Sequence, residues 1–233
     1  MTKSLIYSLA VVFLVVLLFN PASAVDDKSV ALSLKAKGDV QHKKAGSDDA
    51  KLLKVGTRLD DGDNIRTGAE AFAVLIFTDD KSMIKLAELT EVVIEGKRDA
   101  QSNITKRISM EVGNLYANVQ QQRGTLQIAT PTSVASVKGT QFWVVVLADG
   151  TTYVVTLDGL VELRNRLSGQ IVEVRPGQIG QSSPDGEVGS REVLPEDIPN
   201  DPDPNIDNTE TIQIELRDSE GRSKDVNIEV RTE

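Results

Sequence analysis

From about residue 30 to residue 180 the chain is a series of short apolar-alternating runs separated by Gly, Asp, Asn and Pro. No window sustains a helical period with an N-cap and a closing glycine. Strands show this period of two because successive side chains point to opposite faces of a sheet. Val30, Leu32 and Leu34 alternate with small or polar neighbours, as do Phe72, Val74 and Ile76 before the Asp79-Asp80 turn. Met83–Leu86, Val92–Ile94, Ile108/Met110/Val112 and Leu126/Ile128 continue the series. Phe142 to Leu147 is continuously apolar, as expected of a strand buried on both faces. Asp149-Gly150 predicts a type I′ hairpin turn into Tyr153, Val155 and Leu157. Asp158-Gly159 turns again before Leu160–Leu163, and Ile171–Val174 closes the series. Strands recurring every 8–12 residues or so point to an all-β solenoid, sandwich or barrel. Ile65-Arg66-Thr67-Gly68 and Ile128-Ala129-Thr130-Pro131 echo one another without a strict period. The expected fold is therefore all-β and β-solenoid-like, an irregular twisted β-helix or sandwich, with a separate C-terminal β-hairpin.

The ends carry different signals. Lys3 precedes the almost wholly apolar stretch Leu5–Phe19, and Pro21 precedes the small-x-small site Ala22-Ser23-Ala24. An apolar stretch of about 15 residues is short for a membrane span, which takes about 20. Residues 1–24 thus read as a signal peptide cleaved after Ala24, giving a periplasmic protein; an uncleaved inner-membrane anchor is the other reading. The chain has no cysteine, which excludes disulfides, thiolate catalysis, cysteine metal sites and lipoprotein processing. Its net charge of −9 repels phosphate backbones, so no nucleic-acid partner is expected.

Residues 25–183 form the expected β domain, and composition changes at Pro184. The segment 184–210 is rich in Asp, Glu and Pro, with Arg191 its only basic residue, and reads as a self-repelling extended linker. Prolines and a missing Gly and Glu spoil Asp201–Asn205 as a calcium loop. Within 211–233, Ile212, Ile214 and Leu216 alternate cleanly, as do Val226, Ile228 and Val230, which predicts one hairpin. An isolated hairpin is marginal in water. Its apolar face must cover either its own domain or the sheet edge of a partner.

The catalytic alternatives are thin. His42 is the sole histidine; its polar neighbours Gln41, Lys43 and Lys44 imply a solvated edge or loop, not a base or a metal ligand. Ser82-Met83-Ile84-Lys85 has a Ser-x-x-Lys spelling but begins a strand, where those residues point to opposite faces. Asp60, Asp61 and Asp63 are the densest carboxylates and lie in a turn-forming stretch. Trp143 is either an outward binding anchor or buried packing, and the apolar run around it favours packing.

Several segments, in order over about residues 38–180, resemble a FecR-type domain. Gly38-Asp39-Val40 is similar to its opening strand, and Gly56 to Gly68 to its glycine-rich signature, most closely over Gly62-Asp63-Asn64-Ile65-Arg66-Thr67-Gly68. Asp79-Asp80-Lys81-Ser82 stands where the family usually has Asp-Gly-Ser. Glu111–Leu115, Thr130-Pro131, Val137–Phe142 with Gly139 and Thr140, and Asp158-Gly159-Leu160-Val161 complete the resemblance. Glycine conformational freedom and side-chain bonds from Asp63, Thr67 and Thr140 to turn amides give these residues structural roles. The resemblance implies extracytoplasmic signalling and binding without catalysis or cofactor. Only Met1–Ser4 precede the apolar run, so direct action on a sigma factor is not expected. The expected partner is an envelope protein such as a membrane sensor or transporter, engaged through Trp143 or through Ile212, Ile214, Leu216, Val226, Ile228 and Val230 of the hairpin. A carbohydrate- or peptidoglycan-binding module, with a glycan partner, is the alternative.

Overall fold

The computed structural model describes residues 29–98, 104–121, 125–204, 211–217 and 223–229. The expected signal peptide and Val230 lie outside the described residues. The chain is all-β with a single 3₁₀ turn, Pro195–Asp197, among the described residues. Its strands are β1 (Ala31–Lys37), β2 (Val40–Lys43), β3 (Ala50–Leu52), β4 (Arg58–Leu59), β5 (Asp63–Thr67), β6 (Phe72–Phe77), β7 (Met83–Leu86), β8 (Glu91–Arg98) and β9 (Ile104–Val119). They continue as β10 (Leu126–Ala129), β11 (Ser133–Val137), β12 (Thr140–Val146), β13 (Thr152–Asp158), β14 (Val161–Asn165), β15 (Ile171–Val174), β16 (Gln178–Ser182), β17 (Val188–Glu192), β18 (Thr211–Arg217) and β19 (Ser223–Glu229).

The first 17 strands pair into one open sheet that does not close into a barrel. Its pairings separate into two layers. The front layer runs β4-β1-β6-β7-β9-β12-β13-β16-β17. The back layer runs β3-β2-β5-β8-β9-β10-β11-β14-β15. Strand β9 belongs to both. Its first half pairs with β8 and β10, and its second half with β7 and β12. The change of layer falls at Gly113, with φ 110°. A Cβ there would lie 2.3 Å from Thr90 Oγ1 and 2.5 Å from Thr90 Cα, so only glycine lets the strand cross.

One core lies between the layers. Leu75, Phe77, Ile84, Leu115, Phe142 and Val144 come from the front, and Ile65, Ile94, Ile108, Ile128, Leu163 and Val174 from the back. Burial follows the alternation expected of strands: β5 and β14 bury every second residue, whereas β6 and β7 are buried throughout. The continuous apolar run of β12 is central, between β9 and β13, as its sequence predicts.

Two local expectations change. Asp149-Gly150 does end a hairpin, but the turn is not type I′. Only Gly150 has positive φ (87°); Gly150 N–H donates to Leu147 O at 2.9 Å and Leu147 N–H to Thr151 O at 2.9 Å. That is a three-residue loop closed by a glycine bulge, which spares Asp149 a left-handed backbone. Second, the segment read as a linker is structured in its first part. Val188–Glu192 forms the front-edge strand β17 against β16, and residues 193–204 return across the front layer. Residues 205–210 lie outside the described residues. The C-terminal hairpin forms as β18–β19, with Ile212 opposite Ile228 and Ile214 opposite Val226.

Candidate functional site

The signature residues are occupied with the domain's own backbone. Asp63 is buried; its Oδ1 accepts from Ala45 N–H at 3.0 Å and its Oδ2 from Asp60 N–H at 3.1 Å. His42 Nε2 lies 2.7 Å from the same Oδ2. His42 is only 7% exposed, so the solvated position expected from its neighbours is wrong. Alternation along β2 turns the ring inward even though Gln41, Lys43 and Lys44 are polar. Thr67 Oγ1 donates to Ala87 O at 2.6 Å and accepts from Thr90 N–H at 2.9 Å, tying β5 to the β7–β8 connection. Thr140 Oγ1 donates to Leu160 O at 3.1 Å. A Cβ on Gly159 would approach Gly139 O to 2.4 Å, so these two turns pack glycine against backbone. Ile65 sits in the core, while Arg66 and Asp158 are exposed. Gly62, with φ 86°, and Gly68, whose N–H donates to Asp39 O at 2.8 Å, shape the ends of the loop before and after β5.

The unusual chemistry lies on the outer surface of the front layer. One register row crosses it: Lys35 opposite Val74, Val74 opposite Lys85, Lys85 opposite Tyr116, and Tyr116 opposite Trp143. It continues through Val155 and Ile179 to Arg191. Tyr116 and Trp143 have ring centroids 5.2 Å apart at 50° and pack with Val155, Ile179, Tyr153 and Val193. Trp143 is 3% exposed, so it offers no open anchor in this arrangement.

Lys85 is fully buried, with Nζ 5.2 Å from the centre of the Tyr116 ring. A buried ammonium needs a counter-charge and hydrogen-bond acceptors. The returning chain supplies both. Lys85 Nζ donates to Asp201 Oδ2 at 2.8 Å and to Asp203 O at 3.0 Å. Asp203, itself 5% exposed, accepts from Lys35 Nζ at 2.7 Å. At the opposite end Arg191 binds Asp197 through two nitrogens, at 2.6 and 2.8 Å. That guanidinium, with the Leu194 N–H, lowers the Asp197 carboxyl to a pKa of about 2. Residues 193–204 thus form an acidic strap laid along the row from β17 back to β1. A cleft of about 620 Å³ remains beside it, lined by Lys37, Phe72 and Asn114 from the sheet and by Ile198, Pro199 and Pro202 from the strap.

Sequence reasoning missed the strap because the pairs are 116 and 168 residues apart. A signal was present: Lys85 interrupts Met83-Ile84-Lys85-Leu86, and a charge in a fully buried strand demands an acidic partner from elsewhere. A second buried cation, Lys106, pairs with Asp79 at 3.0 Å and with Asp80, clamping the turn between β6 and β7. Burial raises the Asp80 pKa, with Lys106 opposing it. Among the described residues no cluster of three or more metal-ligating side chains occurs, and no helix is long and apolar enough to cross a membrane.

Comparison with known proteins agrees with the signature. No curated protein matches the sequence. Two crystal structures of a candidate anti-sigma factor from Parabacteroides distasonis are similar to the chain at 16% identity, with TM-scores of 0.47 and 0.46. Each match covers 66% of this chain, and 67% and 68% of those chains respectively. The family model described as FecR protein matches residues 63–162, from the buried Asp63 to the strand after the Gly159 turn. The chain therefore carries a FecR domain over residues 63–162.

Proposed function

We propose that the protein is a non-enzymatic binding and signalling module that acts in the periplasm on an envelope protein, such as a membrane sensor or transporter. The observation that carries this reading is the use of the signature itself. Asp63, Thr67 and Thr140 direct their polar atoms at the domain's own backbone, so recognition is left to surfaces outside the motif. The hairpins β10–β11, β12–β13, β14–β15 and β16–β17 alternate between back and front layers, a stepping we read as an irregular solenoid-like scaffold. Such a scaffold presents extended faces and open edges rather than a closed pocket. The β18–β19 hairpin, with its Ile212–Ile228 and Ile214–Val226 pairs, is the candidate for adding strands to a partner's sheet edge.

Crosslinking capture from the native envelope tests this, comparing the full chain with its Ile214→Asp/Ile228→Asp variant. One membrane protein held by the wild type and lost from the variant is the expected result. Equal capture by both removes the hairpin from the mechanism. A second reading, a carbohydrate- or peptidoglycan-binding module, has one observation in its favour. A groove of about 320 Å³ on β13, β16 and β17 places Tyr153 beside Gln181, Ser190 and Arg191, an aromatic surface with polar neighbours. Recovery of glycan fragments without a protein would favour it.

A further inference from the structure

The front surface is covered by a segment poorly equipped to be a permanent part of the fold. Prolines at 195, 199, 202 and 204 remove backbone donors and hold the chain extended. Two of its three branched apolar residues stay in water, with Leu194 49% and Ile198 40% exposed. Apart from Val193, which packs on the aromatic cluster beside β17, its attachments to the row are polar and lie near its two ends: Arg191 with Asp197, then Lys85 and Lys35 with Asp201 and Asp203. The surface beneath is the reverse. It holds a fully buried lysine, a tyrosine and a tryptophan in a stripe that would be wet without a cover. The geometry matches the reach of the chain. Five strand spacings separate β17 from β7, about 24 Å, and the nine residues from Glu192 to Asp201 span about 30 Å when extended.

We infer that the front-layer row is a docking groove for an extended acidic segment, and that residues 193–204 are its intramolecular occupant, displaced when a partner offers a segment with the same Asp-x-Asp spacing. The Asp-x-Asp spacing is read from the occupant: Asp201 meets Lys85, and Asp203, two residues on, meets Lys35. A proline between the carboxylates keeps the segment extended, so little ordering entropy is lost on docking. Lys37, two residues along β1 from Lys35 and opposite Phe72, stands 6.0 Å over the Phe72 ring beside the open cleft and gives an incoming acidic chain a further charge to meet. The groove rests on the reading of the domain as a binding module and deepens it by giving the ligand a chemistry; the hairpin takes no part. A tethered occupant competes at an effective concentration on the order of millimolar, so the groove stays closed to weak ligands.

The test uses the full chain, whose single tryptophan, Trp143, lies under the strap. The probe is a labelled synthetic peptide with the sequence of residues 194–204, followed by fluorescence anisotropy alongside Trp143 emission. In the Asp201→Asn/Asp203→Asn variant the strap should loosen, Trp143 emission should shift red, and the peptide should bind at least about tenfold tighter than to wild type. A control peptide with Asn at both aspartate positions should not bind. Lys35→Gln removes a half-exposed lysine and serves as the second probe should the double variant fail to fold. It should loosen the strap without abolishing the groove, giving a smaller red shift and intermediate peptide binding. Unchanged Trp143 emission with no peptide bound by either variant would make the strap a fixed part of the fold and overturn the inference. Dimerisation by exchange of straps would put a second copy in the groove and likewise overturn it. Neither result depends on envelope capture, so the groove and the hairpin reading fail separately.

Discussion

The two outer surfaces of the domain grow from the same strand alternation and end in opposite states. On the back layer, outward positions carry pairs in water: Arg107 with Glu95, Arg164 with Glu162 and Arg175 with Glu173, at side-chain exposures from 43% to 65%. Exposed pairs of this kind contribute little to stability. On the front layer, the outward row of Lys85, Tyr116, Trp143 and Val155 is buried under the chain's own acidic segment. Sheets in water usually keep one face dry and one wet. Here the middle of the front layer, from Lys85 to Val155, is dry on both faces, and the second dry face is made with a segment whose composition looks disordered. Acidic, proline-rich sequence does not fix a segment's fate; the charge it meets does.

The largest expected effect tests the joint between the layers. Gly113→Ala places a Cβ against Thr90 and forces a left-handed backbone on alanine, and should cost roughly 3 kcal/mol or more in urea unfolding. A loss within the surface range would mean that β9 does not cross between layers at this point. Next comes the strap. Lys85→Ala strips Asp201 and the Asp203 carbonyl of their cation, and should cost about 2 kcal/mol, less than for a wholly buried pair because Asp201 keeps some water contact. The matched change on the back, Arg164→Ala, should stay within about 0.5 kcal/mol. Equal costs for the two variants would dissolve the contrast between the surfaces. The smallest effect belongs to the outer end of the strap. The Asp197 carboxyl is depressed to about 2 by Arg191, so its contribution is fully present above the ordinary carboxylate range near 4. It is lost as pH falls through about 2. Carboxyl-carbon NMR titration should show Asp197 among the last carboxylates to protonate, and a normal midpoint would leave the strap end unclamped.

Much of this architecture is legible in the sequence. Alternation located most of the strands, and the unbroken run at Phe142–Leu147 marked β12 as central, although Leu147 lies past its end and is 44% exposed. The glycine-rich signature pointed to the FecR domain that the family comparison bears out. What stayed hidden depends on contacts between distant residues. His42 looked solvated because its partner, Asp63, lies 21 residues on and pairs only once β2 lies against β5. Several short strands carry no alternating apolar run; β3 and β17 sit at layer edges with almost every residue exposed, so neither has to bury an apolar face. Composition alone makes the strap self-repelling, because it counts the carboxylates without the lysines that receive them. The clue is the lone lysine inside an apolar strand, Lys85, which the sequence also spells as one end of Ser-x-x-Lys.

Zero-length carbodiimide coupling followed by mass spectrometry tests the covered front surface most directly. The reagent must reach the carboxylate: the Asp201 side chain is 27% exposed and its Oδ2 lies 2.8 Å from Lys85 Nζ, so the activated acyl can pass to that amine. The structure predicts an amide link between the peptides containing Lys85 and Asp201 within single chains, lost in Asp201→Asn. Monomeric protein with Lys85 and Asp201 uncoupled, while other close lysine–carboxylate pairs are joined, would contradict the strap and leave the aromatic row of the front layer without its cover.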